Sequence, residues 1–199
     1  MKKIILCTML LLLAFAAVGC SKEKKIIKAE DVTVGTILVK SNGTLQVATV
    51  EEFNKNYYKL SELQDYIGKE VVAFNKAAGE EKITIDSIEL REGKAIMILT
   101  YSGMDQYAAF NKVTAAYFNG GIKDIPLDLP TTLISSKNES LVSTADVIQN
   151  DKYKILILNE PYQIIVDGKV KFYSENSQMT SDSEVKGAAE GMTIVAFKP

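Results

Sequence analysis

The chain places pairs of β-rich runs on either side of short turns, and this pattern restricts its possible folds more than any other feature. Residues 36–40 and residues 45–50 form the first pair, separated by a segment that contains Asn42-Gly43. Asn-Gly is the dipeptide that best suits a hairpin turn, because both positions of that turn need a positive φ. A β-hairpin is therefore expected here.

A second pair of runs surrounds Glu92-Gly93. Residues 82–90 alternate apolar and polar side chains, whereas residues 95–101 are almost wholly apolar. Alternation is typical of a strand with one solvated face, and a continuous apolar run is typical of a strand buried on both faces. The second arm should therefore lie in the centre of a sheet.

One amphipathic helix is expected between these hairpins. Its apolar residues recur at helical spacing, and they are Leu63, Ile67, Val71 and Phe74. Ser61 with Gln64 three residues later fits a capping box at the helix start, and Gly79 follows the expected end. A helix between hairpins predicts an α+β fold with an antiparallel or mixed sheet.

A shorter second helix is expected after the second hairpin. Asp105 is the predicted cap, and the helix would run through Tyr107 and Phe110. The pattern of residues 113–118 fits a helix and a strand equally, so both alternatives stay open.

The region around residues 119–131 is the best candidate for a boundary within the domain. It contains Asn119-Gly120-Gly121 and two prolines, Pro126 and Pro130, which interrupt regular structure. A long ordered loop is the alternative interpretation.

The C-terminal part of the chain is predicted to be β-rich. Residues 153–158 and 192–197 are apolar runs that predict two strands. A third hairpin is expected from residues 163–166 and 170–173, and the polar segment 174–184 is expected to be a mobile loop.

The first residues of the chain have the features of a secretory signal. Lys2 and Lys3 precede an apolar stretch, residues 4–18, which is shorter than the roughly 20 residues needed to cross a bilayer. Small or aliphatic residues then lead to a cysteine, in the order Ala17-Val18-Gly19-Cys20.

This segment resembles the lipobox, the signal-peptidase motif of bacterial lipoproteins. Val18, Gly19 and Cys20 match it, whereas Ala17 stands where leucine is usual. The resemblance implies a signal peptide at 1–19 and a diacylglyceryl group on the Cys20 sulfur, with residues 20–31 as the lipidated N-terminus and tether. The α+β domain would then occupy 32–199. The alternative is an ordinary secreted protein with a free Cys20 thiol.

Lipid on Cys20 would anchor the protein on the extracytoplasmic face of the cell membrane, because two acyl chains give durable attachment. Of the 23 basic residues only Arg91 is an arginine, a bias that favours a Gram-positive surface over a Gram-negative periplasm. The hairpin-helix-hairpin order with Tyr57-Tyr58 also loosely resembles small uncharacterised Gram-positive surface lipoproteins. The lysines of residues 21–25 either contact anionic headgroups or are simply solvated.

The chemistry open to the mature chain is narrow. It has no histidine, Cys7 would leave with the signal peptide, and Cys20 would be acylated. Disulfides, thiol or imidazole catalysis and thiolate or imidazole metal sites are therefore excluded. We predict no catalytic, cofactor-binding or metal-ligating residue. The formal charge of −2 also argues against a nucleic-acid partner.

Three sets of residues are candidates for function. The aromatic set could form an interaction surface or core packing, and comprises Tyr57, Tyr58, Tyr66, Tyr101, Tyr107, Tyr117, Phe118, Tyr162 and Tyr173. The acidic set could act as acid and base or be surface charge, and comprises Asp86, Glu89, Glu92, Asp124, Asp128 and Asp146. The third set is the Asn159-Glu160-Pro161-Tyr162 segment, a ligand site or a turn.

Together these features predict a lipid-anchored surface lipoprotein. Its domain is expected to be a non-catalytic binding or interaction module for a protein or glycan partner. The alternative is a carboxylate-dependent hydrolase of cell-wall or dietary glycan.

Overall fold

The computed structural model describes residues 25–123 and 125–199. The predicted signal peptide, Ala17, Val18, Gly19 and Cys20 lie outside the described residues. Three α-helices are present in the described part, α1 (Leu60–Ala78), α2 (Met104–Asn111) and α3 (Thr144–Ile148), together with a short 3-10 turn at Ala29–Asp31.

Most of the remaining described chain is β-structure. The strands are β1 (Thr36–Val39), β2 (Leu45–Glu52), β3 (Ile83–Arg91), β4 (Lys94–Tyr101), β5 (Ala115–Asn119), β6 (Thr132–Ser135), β7 (Leu141–Ser143), β8 (Lys154–Leu158), β9 (Gln163–Val166), β10 (Lys169–Tyr173), β11 (Gln178–Ser181), β12 (Glu184–Lys186) and β13 (Thr193–Lys198).

The strands form two sheets. The first has the order β11-β12-β9-β1-β2-β4-β3, and the second has the order β5-β8-β13-β10-β6-β7. The β1–β9 pair is parallel, and the other pairs are antiparallel. The predicted α+β class is confirmed, with more sheet than helix.

The first two predicted hairpins are confirmed. β1 pairs with β2 across a turn in which Gly43 has φ +90°, and β3 pairs with β4 across a turn in which Gly93 has φ +76°. β4 lies between β2 and β3, so its predicted central position is also confirmed. Glycine suits both turns because a positive φ costs it little.

Helix α1 is confirmed, but its predicted start is wrong. The helix begins at Leu60, two residues before the start that a Ser61 cap implies, because Lys59 is the last extended residue (φ −123°) and provides no side-chain cap. Ser61 therefore lies inside the first turn, and the Gln64 amide donates to the Ile88 carbonyl (3.0 Å). Gly79 ends the helix in the left-handed conformation, as predicted.

The predicted cap of the shorter helix is also wrong. Gly103 occupies the cap position of α2, and Asp105 lies in the first turn, where a negative charge favours the helix dipole. The segment left open between helix and strand forms β5, because Ala115 to Asn119 pair along the full length of β8.

The predicted third hairpin does not form. β9 pairs with β1 and β12 in the first sheet, whereas β10 pairs with β13 and β6 in the second. The turn at Asp167-Gly168 is therefore a corner between sheets. A Cβ at Gly168 would come within 2.4 Å of the Lys198 carbonyl oxygen, so the strands approach too closely there for a side chain.

The predicted mobile loop at 174–184 is instead regular structure. β11 and β12 form a small hairpin that extends the first sheet through β9. Of the three residues in β12 only Val185 is buried. β12 lies between β9 and the edge strand β11, and a strand of three residues is too short to show apolar periodicity.

The main core lies between the two sheets. Ile37, Val47 and Leu99 of the first sheet pack in one cluster with Leu156 and Phe197 of the second. Strands on both sides of residues 119–131 thus share a single core. The outer face of the second sheet is covered by α3 and by apolar residues of that same region, Ile125, Leu127 and Leu129.

The outer face of the first sheet is covered by the N-terminal segment. Ile27, Ala29 and Val32 are buried there against Leu38 and Ile98. The Ile27 amide also donates to the Gln46 side-chain oxygen (2.6 Å). Packed structure therefore begins within the range expected to be a tether.

Candidate functional site

The acidic candidates are dispersed over the described surface. The carboxylate of Asp86 accepts hydrogen bonds from Gln46 and Thr100, both at 2.7 Å, and is thereby held on the first sheet. The other described members are exposed, and they are Glu89, Glu92, Asp128 and Asp146; Asp124 lies outside the described residues.

Four cavities among residues 25–123 and 125–199 have volumes of about 380 to 540 Å³, and none of the described acidic candidates lines any of these four. No group of three or more acidic side chains close enough to hold a metal ion occurs in the same part of the chain. This arrangement agrees with the surface-charge interpretation.

The aromatic candidates divide into buried and exposed groups. Tyr101 and Tyr107 are buried in the main core. Four are half-buried: Tyr117, Phe118, Tyr162 and Tyr173. Three are exposed: Tyr57, Tyr58 and Tyr66. Core packing therefore explains most of this set, and the exposed tyrosines require another explanation.

Two of the exposed tyrosines belong to a cluster with a phenylalanine, which we call the aromatic surface: Phe53, Tyr57 and Tyr58. The Phe53 and Tyr58 rings stack with centroids 4.9 Å apart and planes at 29°. Tyr57 packs edge-on against Tyr58 at 4.8 Å and 73°, and it is 67% exposed. Two exposed tyrosine rings thus adjoin the half-buried ring of Phe53.

The backbone fixes the aromatic surface at one end of the first sheet. β2 ends at Glu52, and the next amide, that of Phe53, donates to the Gly93 carbonyl in the β3–β4 turn (2.7 Å). A second turn, closed by the Tyr58 amide on the Lys55 carbonyl (3.1 Å), leads into α1. The sequence singled out the tyrosines but missed Phe53, because a lone phenylalanine five residues before Tyr58 carries no periodic signal.

The third candidate, Glu160, is tied into the core rather than presented to solvent. The hydroxyl of Tyr107, whose side chain is 1% exposed, donates to the Glu160 carboxylate. The Tyr107 ring packs edge-on against Tyr101 at 5.3 Å, and the Asn111 amide donates to the Tyr101 hydroxyl (3.2 Å). This network connects the β8–β9 loop to α2 and β4.

Tyr162 completes this buried cluster. Its backbone amide donates to the Glu160 carbonyl (2.9 Å), and its ring lies so close to Gly35 that a Cβ there would be 2.6 Å from two ring carbons. The turn interpretation of the 159–162 segment therefore agrees with its contacts: the segment is a tightly packed connection.

Burial changes the acid-base behaviour of these phenols. It raises the pKa of Tyr101 to about 12 and is also the main cause of the raised pKa of Tyr162. For Tyr107, burial comes first, and the neighbouring Tyr162 and the hydrogen-bonded Glu160 raise the pKa further. All three phenols are neutral at physiological pH.

We expect the protein to lose stability in alkaline solution. A raised folded-state pKa means that the stability is fully present below the unfolded pKa near 10 and is lost as pH rises towards the folded value. Between pH 10 and pH 12, the ionisation of Tyr101 alone should lower the free energy of unfolding by about 2–3 kcal/mol. Urea denaturation across this range measures it.

Two variants control the alkaline experiment. Tyr101→Phe removes one ionising group, so its midpoint should fall less steeply with pH than that of the wild type. Tyr66→Phe changes an exposed ring and should follow the wild type. If the urea concentration at the midpoint of unfolding stays constant above pH 10 in the wild-type protein, the burial of these tyrosines is contradicted.

No helix within residues 25–123 and 125–199 has the length and apolar character required to cross a membrane. The chain was also compared with known proteins. No protein-family model, curated protein or solved structure matches it.

Proposed function

We propose that the chain is a lipoprotein anchored by lipid on Cys20 at the extracytoplasmic face of a membrane, and that its domain is a non-catalytic binding module. The observation that carries the binding role is the aromatic surface, in which two exposed tyrosine rings pack on the half-buried Phe53 at the end of the first sheet. The proposed partner is a protein or a glycan.

The binding role has a physical basis, because the aromatic rings of Tyr57 and Tyr58 are exposed to water and covering them with a partner is favourable. Tyrosine offers a large contact area with few rotatable bonds, and it is enriched where proteins meet their partners. The face of a tyrosine ring packs against a sugar ring or an apolar side chain equally well. Since Phe53 and Tyr58 are already stacked, little conformational entropy remains to be lost on binding.

The acidic side chains favour binding over hydrolysis. Glycoside hydrolysis uses two carboxyl groups about 5 to 9 Å apart on either side of the bond that is cut. Asp86 is engaged by Gln46 and Thr100, and Glu160 by Tyr107. The remaining described candidates are exposed outside the cavities described above.

The glycan arm of the test titrates the protein with purified peptidoglycan strands and with β-1,4-linked N-acetylglucosamine oligomers. Replacing both Tyr57 and Tyr58 with alanine should weaken binding about tenfold, because each aromatic contact contributes about 0.5–1.5 kcal/mol. Tyr66→Ala, an exposed tyrosine outside the cluster, is the matched control.

The protein arm places a photoreactive residue at Lys55, beside the aromatic surface, in living cells. A crosslink that is lost in the Tyr57→Ala/Tyr58→Ala variant identifies a protein partner, and the same residue at Lys69 on α1 is the control. If neither glycan binding nor crosslinking depends on the two tyrosines, the binding role is wrong. Release of reducing sugar from the strands would favour the hydrolase alternative.

A further inference from the structure

Lysines are concentrated where the described chain begins. Lys25, Lys169, Lys171 and Lys198 line one cavity of about 460 Å³, together with Asp167, Gly168 and Pro199. An adjoining cavity of about 400 Å³ shares Lys169 and Lys171 and adds Lys137. We call Lys25, Lys137, Lys169, Lys171 and Lys198 the lysine surface.

Acidic groups in these two cavities are fewer than the lysines. Asp182 pairs with Lys169 at 3.4 Å, and Asp167 accepts a hydrogen bond from the Ser41 hydroxyl at 3.3 Å. The ammonium group of Lys25 is held in place by the Ser183 hydroxyl (2.7 Å). The two linings thus contain five lysines and two side-chain carboxylates, an excess of positive charge on a chain whose formal charge is −2.

The lysine surface is close to Cys20 along the chain. Lys25 lies five positions after Cys20, and five residue steps span at most about 17 Å when fully extended. If Cys20 carries the lipid, Lys25 and the cavity around it cannot move further than this from the headgroup layer. The tether therefore lets these lysines approach the headgroups to within the Debye length, about 8 Å at physiological salt, where their attraction to anionic groups is retained.

We propose that the lysine surface docks on the anionic phospholipid headgroups of the membrane that holds Cys20. The proposal rests on the lipid anchor of the proposed function, and it adds an orientation of the domain. Each lysine near an anionic leaflet contributes about 1 kcal/mol of attraction. Several lysines together therefore hold the lysine surface against the membrane.

This orientation directs the aromatic surface away from the membrane. The turn before β2 lies beside the lysine surface, because the Ser41 hydroxyl donates to Asp167, which lines the same cavity as four of the lysines. Phe53 follows the opposite end of β2, which spans Leu45–Glu52, and eight residues of strand extend about 26 Å. Docking through the lysines therefore presents Phe53, Tyr57 and Tyr58 towards an approaching partner.

The test uses the lipidated protein, extracted from membranes and reconstituted into vesicles. One set contains phosphatidylcholine alone, and the other contains equal parts of phosphatidylcholine and phosphatidylglycerol. Brief acylation with an amine reagent, followed by mass spectrometry, reports the reactivity of each lysine. In anionic vesicles the lysine surface should react about fivefold more slowly, and Lys69 and Lys76 on α1 should react equally in both sets.

Charge variants sharpen this result. Lys169→Gln/Lys171→Gln/Lys198→Gln should abolish the protection of Lys25 and Lys137, whereas Lys59→Gln/Lys69→Gln/Lys76→Gln should leave it intact. Protection should also disappear at about 1 M salt, where the Debye length is about 3 Å.

Two results would overturn the proposal: equal reactivity in both kinds of vesicle, or the same protection from soluble polyphosphate added to uncharged vesicles. The mass of Cys20 is measured on the same sample, so failure of the lipid anchor is scored separately. An unlipidated sample would still report docking, by sedimenting with the anionic vesicles at low salt.

Discussion

Replacing Phe197 with alanine is expected to lower the free energy of unfolding by about 3–5 kcal/mol. The Phe197 side chain is 0% exposed and belongs to β13, which lies between β8 and β10 in the second sheet. Its ring faces the core shared by the two sheets, 6.4 Å from the Tyr117 ring. Removing it leaves a cavity that this packed core cannot fill.

Urea denaturation followed by circular dichroism measures this loss. Because the alanine variant could fail to fold at all, Phe197→Leu provides a milder change, with an expected cost of about 1–1.5 kcal/mol. Leu90→Ala, at an edge-strand position that is 48% exposed, should cost less than about 1 kcal/mol. Equal costs for Phe197→Ala and Leu90→Ala would contradict a core between the sheets.

Replacing Cys20 with alanine is expected to release the protein from the membrane fraction. Attachment by lipid depends on burying acyl chains, at about 0.8 kcal/mol for each CH₂ group, and two chains are needed for durable anchoring. Without the Cys20 sulfur there is no site for the diacylglyceryl group. Fractionation, detergent-phase partition and labelling with palmitate follow the change.

The chain provides a matched control for this experiment. Cys7 lies within the apolar stretch of the predicted signal peptide, so Cys7→Ala should leave both the label and the membrane association unchanged. A Cys20→Ala protein that still sediments with membranes and still incorporates palmitate would contradict the lipid anchor.

Local sequence signals predicted the elements whose contacts are local. The Asn42-Gly43 and Glu92-Gly93 turns join strands that pair directly with each other. The turn residues and the pattern of apolar side chains were therefore sufficient to predict both hairpins. The apolar stripe of α1 was equally informative. Its start was misplaced by two residues, because the extended Lys59, not a side-chain cap at Ser61, sets it.

Contacts between distant residues account for most of the wrong predictions. β9 and β10 flank a turn that resembles a hairpin turn, yet each finds its partners elsewhere: β9 pairs with β1, and β10 with β13. β12 is a strand because it pairs with β9 on one side and with β11 on the other, and its own three residues show no pattern. Pairing partners so far apart in the chain leave no local signal.

In the candidate surfaces, too, neighbouring residues were recognised from the sequence, whereas residues brought together by the fold were not. Tyr57 and Tyr58 are adjacent in the sequence and were singled out from it, whereas Phe53 joins them through a turn that only the fold reveals. The lysine surface combines Lys25 with residues more than 100 positions away. Glu160 was proposed as a ligand or a turn residue, and its bond to Tyr107 required the packing of α2 against the β8–β9 loop.

The most direct test of the lipid anchor is the intact mass of the N-terminal peptide of the protein extracted from membranes. We predict that the peptide begins at Cys20 and carries the mass of a diacylglyceryl group on that residue. A peptide that begins at another residue, or that begins at Cys20 with an unmodified thiol, would contradict the account.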